Sequence, residues 1–144
     1  MAVPNRVVAA VIGEGALTFD LSVPSEVFGL DRSDIADPWY EFRLASADET
    51  PIRTSTGFLL DTPYRLSDLD TADTVIVPGW CDPDKRPSAD LIESLRAAHA
   101  RGARVVSLCT GAFVLASRPD AAPRRPAPDG AGRPRFAAIM RLTS

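Results

Sequence analysis

The chain has 144 residues, which is enough for one domain with one hydrophobic core. Its composition, with 45% hydrophobic and 24% charged residues, is that of a globular protein, and no apolar run is long enough to span a bilayer. The formal net charge of −3 gives no sign of nucleic-acid binding, and two cysteines are too few for a disulfide framework. We therefore expect a cytoplasmic protein with no membrane partner.

The first half of the chain predicts strands that alternate with a helix. The run RVVAAVI at residues 6–12 is typical of a strand buried on both faces. Residues 18–29 predict a helix whose apolar stripe consists of Val23, Val27 and Phe28. Two further elements are a strand at residues 40–45 and a hairpin at residues 50–66 around Gly57.

The second half repeats this alternation. A strand at residues 73–77 precedes a helix at residues 88–101, which Ser88 caps and Gly102 ends. That helix turns Leu91, Leu95 and Ala98 inward and leaves the only histidine, His99, at the surface. A strand at residues 104–108 and a helix at residues 110–116 follow. The pattern predicts an α/β fold in which residues 7–12, 73–77 and 104–108 are neighbouring, buried, parallel strands.

The composition changes abruptly near Ser117. Residues 118–144 contain five prolines and six arginines without an apolar period, and their net charge of +4 leaves −7 on residues 1–117. We predict a partial domain over residues 1–117 and a disordered tail over residues 118–144. The tail is interpreted as out-of-frame translation that truncates the domain, with a natural disordered tail as the alternative.

The strongest chemical signal is the segment SLCTG at residues 107–111, between a predicted strand and a predicted helix. A nucleophile elbow needs small residues two positions before and two positions after its nucleophile. Ser107 and Gly111 meet that requirement around Cys109. A buried, inert cysteine that ends a core strand is the alternative interpretation.

Three segments together carry a family resemblance. The run VVSLCTGAFVLA at residues 105–116 resembles the cysteine elbow of the ThiJ/PfpI superfamily, which has a class I glutamine-amidotransferase-like domain. The runs LTFDLSVPSEVFG at residues 17–29 and VIVPGW at residues 75–80 agree with it in order and spacing. The closest resemblance is to the N-terminal domain of AraC-type transcriptional regulators. It covers about residues 6–117 and implies a flavodoxin-like parallel sheet with helices on both faces.

The resemblance also implies roles for individual residues. Cys109 and Asp20 match the family's candidate catalytic pair, in which the carboxylate handles a proton beside the thiol. Gly79 and Thr110 match positions whose backbone N–H groups form an oxyanion pocket, which Trp80 and Gly111 complete as a candidate ligand pocket. Trp80 stands where many relatives have a second glycine.

The resemblance leaves two functional hypotheses, and a non-functional fragment is a third alternative. The first is a regulatory, ligand-sensing domain of an AraC-type regulator that lacks its helix-turn-helix domain; the absence of a histidine after Cys109 supports it. The second is a small isonitrile-hydratase-like enzyme that uses Cys109 and Asp20. A small-molecule ligand and a homodimer are candidate partners, and DNA contact is expected only through the missing C-terminal domain. No cofactor and no metal are expected.

Overall fold

The computed structural model describes residues 6–80, 82 and 85–116. The predicted tail at residues 118–144, together with Cys81, lies outside the described residues. A π-helical turn at Ser25–Gly29 continues the first helix, and a 3₁₀-helix at Leu66–Thr71 precedes the fifth strand. The other elements, in chain order, are β1 (Val7–Ile12), α1 (Thr18–Pro24), β2 (Glu41–Ser46), β3 (Ile52–Arg53), β4 (Leu59–Leu60), β5 (Thr74–Val77), α2 (Ala89–Ala100), β6 (Arg104–Ser107) and α3 (Gly111–Leu115).

The centre of the fold is a four-stranded parallel sheet in the order β2-β1-β5-β6. This is the strand order of a doubly wound, flavodoxin-like sheet, in which the order of the parallel strands reverses between β1 and β5. The predicted α/β fold class is therefore confirmed. The predicted hairpin is also present, because β3 and β4 pair as antiparallel strands around Gly57 (φ +97°).

Alternate residues of β1 and β5 pack into two apolar layers. On one face, Val11 and Val75 join Leu91 and Leu95 of α2 in a buried cluster. On the other face, Ile76 and its neighbours contact Phe28 of the π-helical turn. Both layers are buried because the crossover segments place helices on both sides of a parallel sheet.

The helix α2 forms as its sequence predicts. The Ser88 hydroxyl oxygen accepts a hydrogen bond from the Leu91 backbone N–H at 3.2 Å, so the capping residue is confirmed. Gly102 follows the C-cap residue Arg101 and adopts a positive φ of 96°, a conformation in which a residue without Cβ is favoured. His99 is exposed, as predicted. No helix in the described part of the chain is long and apolar enough to cross a membrane.

The predicted apolar stripe of the first helix is wrong in its direction. Leu21 and Pro24 are the buried residues of α1, and Phe28 is half-buried. Val23 and Val27, by contrast, are 41% and 52% exposed. Apolar residues lie on more than one side of this helix, so the apolar pattern alone did not determine which side faces the sheet.

The prediction that residues 104–108 form a fully buried strand is also wrong. β6 pairs with β5 as expected, but it is an edge strand of the described sheet, and its residues alternate between half-buried and exposed. Val106 is 42% exposed. An apolar, β-branched run predicts a strand but does not report whether both faces are covered.

Candidate functional site

The candidate site residues come together at the carboxyl ends of three strands. Asp20 lies in α1, which follows β1; Gly79 follows β5; and Cys109 follows β6. These ends flank the point where the strand order reverses, and open parallel sheets bind their ligands there. Parallel strands bring such distant segments together because all of their carboxyl ends lie at the same edge.

Cys109 occupies a sharp turn between β6 and α3. Its φ of 49° lies in the left-handed region, and it is the only residue other than glycine with a positive φ in the described part of the chain. The Leu108 N–H still donates to the Val77 carbonyl at 2.9 Å, and the Gly111 N–H closes the turn by donating to the Leu108 carbonyl at 2.9 Å. The thiol is exposed. This backbone geometry is what a nucleophile elbow requires.

Gly111 makes that turn possible. A Cβ at this position would overlap the carbonyl oxygen of Val77 and also approach that of Pro78 at 2.8 Å. The helix α3 can therefore start directly beside the end of β5 only with glycine at its first position. Backbone contacted in this way cannot yield as a flexible side chain would.

Asp20 contacts the loop after β5. Its Oδ2 accepts a hydrogen bond from the Gly79 N–H at 3.1 Å. The hydrogen bonds of the described residues include none between the Asp20 carboxylate and the Cys109 thiol. The Gly79 N–H, which the family resemblance assigns to an oxyanion pocket, is directed to this carboxylate. The oxyanion role of Gly79 and Thr110 stays a prediction.

Thr110 links the turn at Cys109 to the same loop. Its hydroxyl oxygen accepts a hydrogen bond from the Trp80 N–H and donates one to the Trp80 carbonyl, each at 3.0 Å. A Cβ on Gly79 would approach this hydroxyl at 3.0 Å and overlap Asp20 Oδ2, so both side chains converge on the backbone of Gly79. The residue after Cys109 therefore fixes the backbone of Trp80.

The Trp80 indole extends away from these two hydrogen bonds toward the end of β1, where it packs against Gly13. It forms part of a pocket of about 170 Å³ whose lining includes Thr110, Leu91 and Phe113. Of the four residues of the predicted ligand pocket, Trp80 and Thr110 line this pocket, whereas Gly79 and Gly111 do not, and neither does Cys109. Within the described ranges no group of three His, Cys, Asp or Glu side chains could hold a metal ion.

Sequence reasoning missed several lining residues of this pocket. Asp48 follows β2, Lys85 precedes α2, and Phe113 lies in α3. Two signals were available: Asp48 lies three residues after a predicted strand that ends at the same sheet edge, and Phe113 lies one helical turn beyond Cys109. Neither residue type is specific enough to be singled out without coordinates.

These observations define an α/β domain of flavodoxin-like architecture with an exposed cysteine at a strained strand-to-helix turn. The model of the DJ-1/PfpI family matches residues 6–126. The chain belongs to this family.

Known relatives agree with this assignment. An uncharacterized protein encoded in the cpoL 5′ region of Streptomyces lividans is 38% identical over 116 residues, which cover 78% of each chain. The crystal structure of a Vibrio parahaemolyticus protein, assigned as a transcriptional regulator, has a TM-score of 0.68 at 18% identity, with 78% of this chain and 60% of that chain covered. An AraC family transcriptional regulator from Pseudomonas putida has a TM-score of 0.64 at 23% identity, with 76% and 68% covered. Both structural similarities establish the fold.

Proposed function

We propose that this chain is a ligand-sensing, regulatory domain of the type found in AraC family transcriptional regulators, and that Cys109 is not a catalytic nucleophile in it. The observation that carries the proposal is that, among the hydrogen bonds of the described residues, the Asp20 carboxylate accepts one from the Gly79 N–H and makes none with the Cys109 thiol. A general base must lie within hydrogen-bond reach of the proton that it removes. Here the matching carboxylate is engaged with a backbone N–H.

Two further features support a sensing role. The candidate ligand pocket adjoins Trp80 and Thr110 and does not include Cys109, so a ligand bound there need not contact the thiol. Structures of similar fold include proteins named as transcriptional regulators from Vibrio parahaemolyticus and Pseudomonas putida. Regulation of transcription would then require a DNA-binding domain outside residues 1–117.

The alternative is an isonitrile-hydratase-like enzyme, in which an isonitrile and water give an N-substituted formamide. One observation favours it: Cys109 is exposed and holds a left-handed conformation. Strained backbone of this kind clusters at active sites. In this reading Cys109 would attack the isonitrile carbon, and Asp20 would transfer the proton.

The two functions can be separated with the purified chain and cyclohexyl isonitrile. We expect formamide production to be the same for the wild-type chain and for Cys109→Ala, at the rate of the uncatalysed reaction. Turnover that Cys109→Ala abolishes would overturn the regulatory proposal. The nucleotide sequence after codon 117 provides an independent test, because an in-frame continuation into a basic helix-turn-helix supports the regulator and an early stop supports the enzyme.

A further inference from the structure

The segment directly after β5, residues 78–80, is fixed to the turn at Cys109 by one side chain, and we call this segment the bridging loop. The Thr110 hydroxyl accepts a hydrogen bond from the Trp80 N–H and donates one to the Trp80 carbonyl, each at 3.0 Å. A single hydroxyl thus satisfies both backbone polar groups of one loop residue, which threonine or serine can do and valine cannot. Since Thr110 directly follows Cys109, a movement of this turn moves the hydrogen-bond partner of the loop.

The opposite side of the bridging loop is fixed to the start of α1. The Gly79 N–H donates to the Asp20 carboxylate at 3.1 Å, and the Gly79 carbonyl accepts from the Leu17 N–H at 3.4 Å. Trp80 also pairs with Ala16 as an isolated antiparallel β-bridge. The four backbone polar groups of Gly79 and Trp80 are therefore all bonded to segments outside the loop.

The bridging loop is packed too tightly to absorb a movement on either side. A Cβ on Gly79 would overlap the Asp20 carboxylate and approach the Thr110 hydroxyl at 3.0 Å. In the described part of the chain no hydrogen bond joins α1 directly to the turn at Cys109, so the hydrogen bonds of the loop connect the two. Closely packed contacts of this kind switch between discrete arrangements rather than deform continuously.

We propose that the bridging loop transmits changes at the turn of Cys109 to the start of α1, with the Thr110 hydroxyl as the input contact and the Asp20 carboxylate as the output contact. The inference rests on the proposed sensing function and names the route of its signal. Thr110 and Trp80 line the candidate ligand pocket, so a ligand there meets the input contact. Phe19 directly precedes Asp20 and is 80% exposed, so a shift of the output contact changes the apolar surface that another domain or chain can meet.

The test applies a defined change at the turn of the full chain and measures the response at α1. Iodoacetamide alkylates the exposed Cys109 thiol, whose sulfur displaces iodide and gains a carbamidomethyl group. A Cys81→Ser background leaves Cys109 as the only cysteine. Hydrogen exchange, followed by mass spectrometry on the peptides of α1 and α2, compares the alkylated with the unmodified chain. Because the added group displaces Thr110, we expect exchange in α1 to rise about fivefold or more, the lower end of typical couplings between sites, and exchange in α2 to change by less than about twofold.

Two pairs of variants identify the contacts that carry the response. Thr110→Val cannot bond the Trp80 backbone, so alkylation should change α1 exchange by less than about twofold in this variant, whereas Thr110→Ser should retain the wild-type response. Asp20→Ala should abolish the response at α1 while Cys109 is alkylated as fast as in the wild type. Asp20→Asn should retain the response, because its amide oxygen can still accept the Gly79 N–H.

Thr62→Val serves as the matched control. The Thr62 hydroxyl also accepts from a backbone N–H, that of Tyr64 at 3.3 Å, and donates to a backbone carbonyl, that of Leu44 at 2.7 Å. Among the described hydrogen bonds it reaches neither the bridging loop nor the turn at Cys109, so the α1 response should survive this change. An α1 that does not respond to alkylation, an equal rise in α1 and α2, or a response that Thr110→Val leaves intact would overturn the transmission. Isonitrile turnover that Cys109→Ala abolishes, in contrast, would overturn the sensing function and not the transmission.

Discussion

At the scale of single residues, the site depends on backbone conformations that few side chains tolerate. Cys109 is held at a φ of 49°, a conformation that costs an L-residue roughly 1–2 kcal/mol. The chain maintains it through the hydrogen bonds of Leu108 and Gly111 on either side. A motif of small residues around a cysteine predicts this turn, since only a small residue fits beside β5.

The strain at Cys109 can be measured with two substitutions. Cys109→Gly should be more stable than Cys109→Ala by about 0.5–1 kcal/mol, because relief of the left-handed strain exceeds the larger entropy that glycine has in the unfolded chain. Urea unfolding of the two variants gives the difference. An alanine variant as stable as the glycine variant would indicate that the turn is unstrained.

The role of Asp20 can be tested in the same way. Asp20→Ala removes the acceptor for the Gly79 N–H and should cost about 1–2 kcal/mol, because Gly79 is buried. Asp20→Asn keeps an oxygen acceptor and should cost less than half as much. Neither variant should alter the alkylation rate of Cys109 by more than about twofold, since a larger change would correspond to an interaction of more than about 0.4 kcal/mol with the thiol.

At the scale of elements, the sequence predicted which segments form strands and helices better than which of their sides are covered. Most strands and helices of residues 6–116 follow from alternating periods and from capping residues such as Ser88, but the 3₁₀-helix at Leu66–Thr71 was not predicted. The direction of α1 and the edge position of β6 did not follow. Both depend on what packs against an apolar surface, and a single sequence contains no record of that.

In the candidate site, too, some features could be predicted from the sequence and others could not. The placement of Asp20, Gly79 and Cys109 at neighbouring strand ends could be expected, because parallel strands carry their loops to one edge. The hydrogen bonds between Thr110 and Trp80 could not be expected, because they depend on one hydroxyl group that reaches a loop 30 residues away in the sequence.

The direction of α1 gives a prediction with an internal control. Leu21→Ala should cost about 2–5 kcal/mol, because Leu21 is 7% exposed and its removal leaves a cavity beneath the helix. Val23→Ala should be nearly neutral, because 41% exposure limits the lost burial and alanine is the better helix former. Chemical denaturation measures both free energies of unfolding. If Val23→Ala were the more costly change, the helix would lie with its other side on the sheet.

At the scale of the whole molecule, apolar surface remains uncovered on the described domain. We call the exposed side of the first helix the outer stripe; it consists of Phe19, Val23, Val27 and Leu30, with Phe19 80% exposed. Val106 adds exposed apolar surface on the edge strand β6. Large apolar patches are uncommon on soluble monomers, and exposed strand edges are templates for pairing with another chain.

We therefore expect the purified chain to self-associate as its concentration rises. The full chain carries a formal net charge of −3, so weak repulsion between copies opposes association at low ionic strength. Added salt screens this repulsion over about 10 Å at 0.1 M and should strengthen an association driven by apolar contact, whereas it would weaken one driven by ion pairs. Sedimentation velocity at two salt concentrations distinguishes these cases. The double variant Phe19→Ser/Val23→Ser should reduce association if the outer stripe mediates it. Val106→Ser should reduce association if the edge of β6 mediates it. A wild-type chain that stays monomeric at every concentration would contradict the expectation.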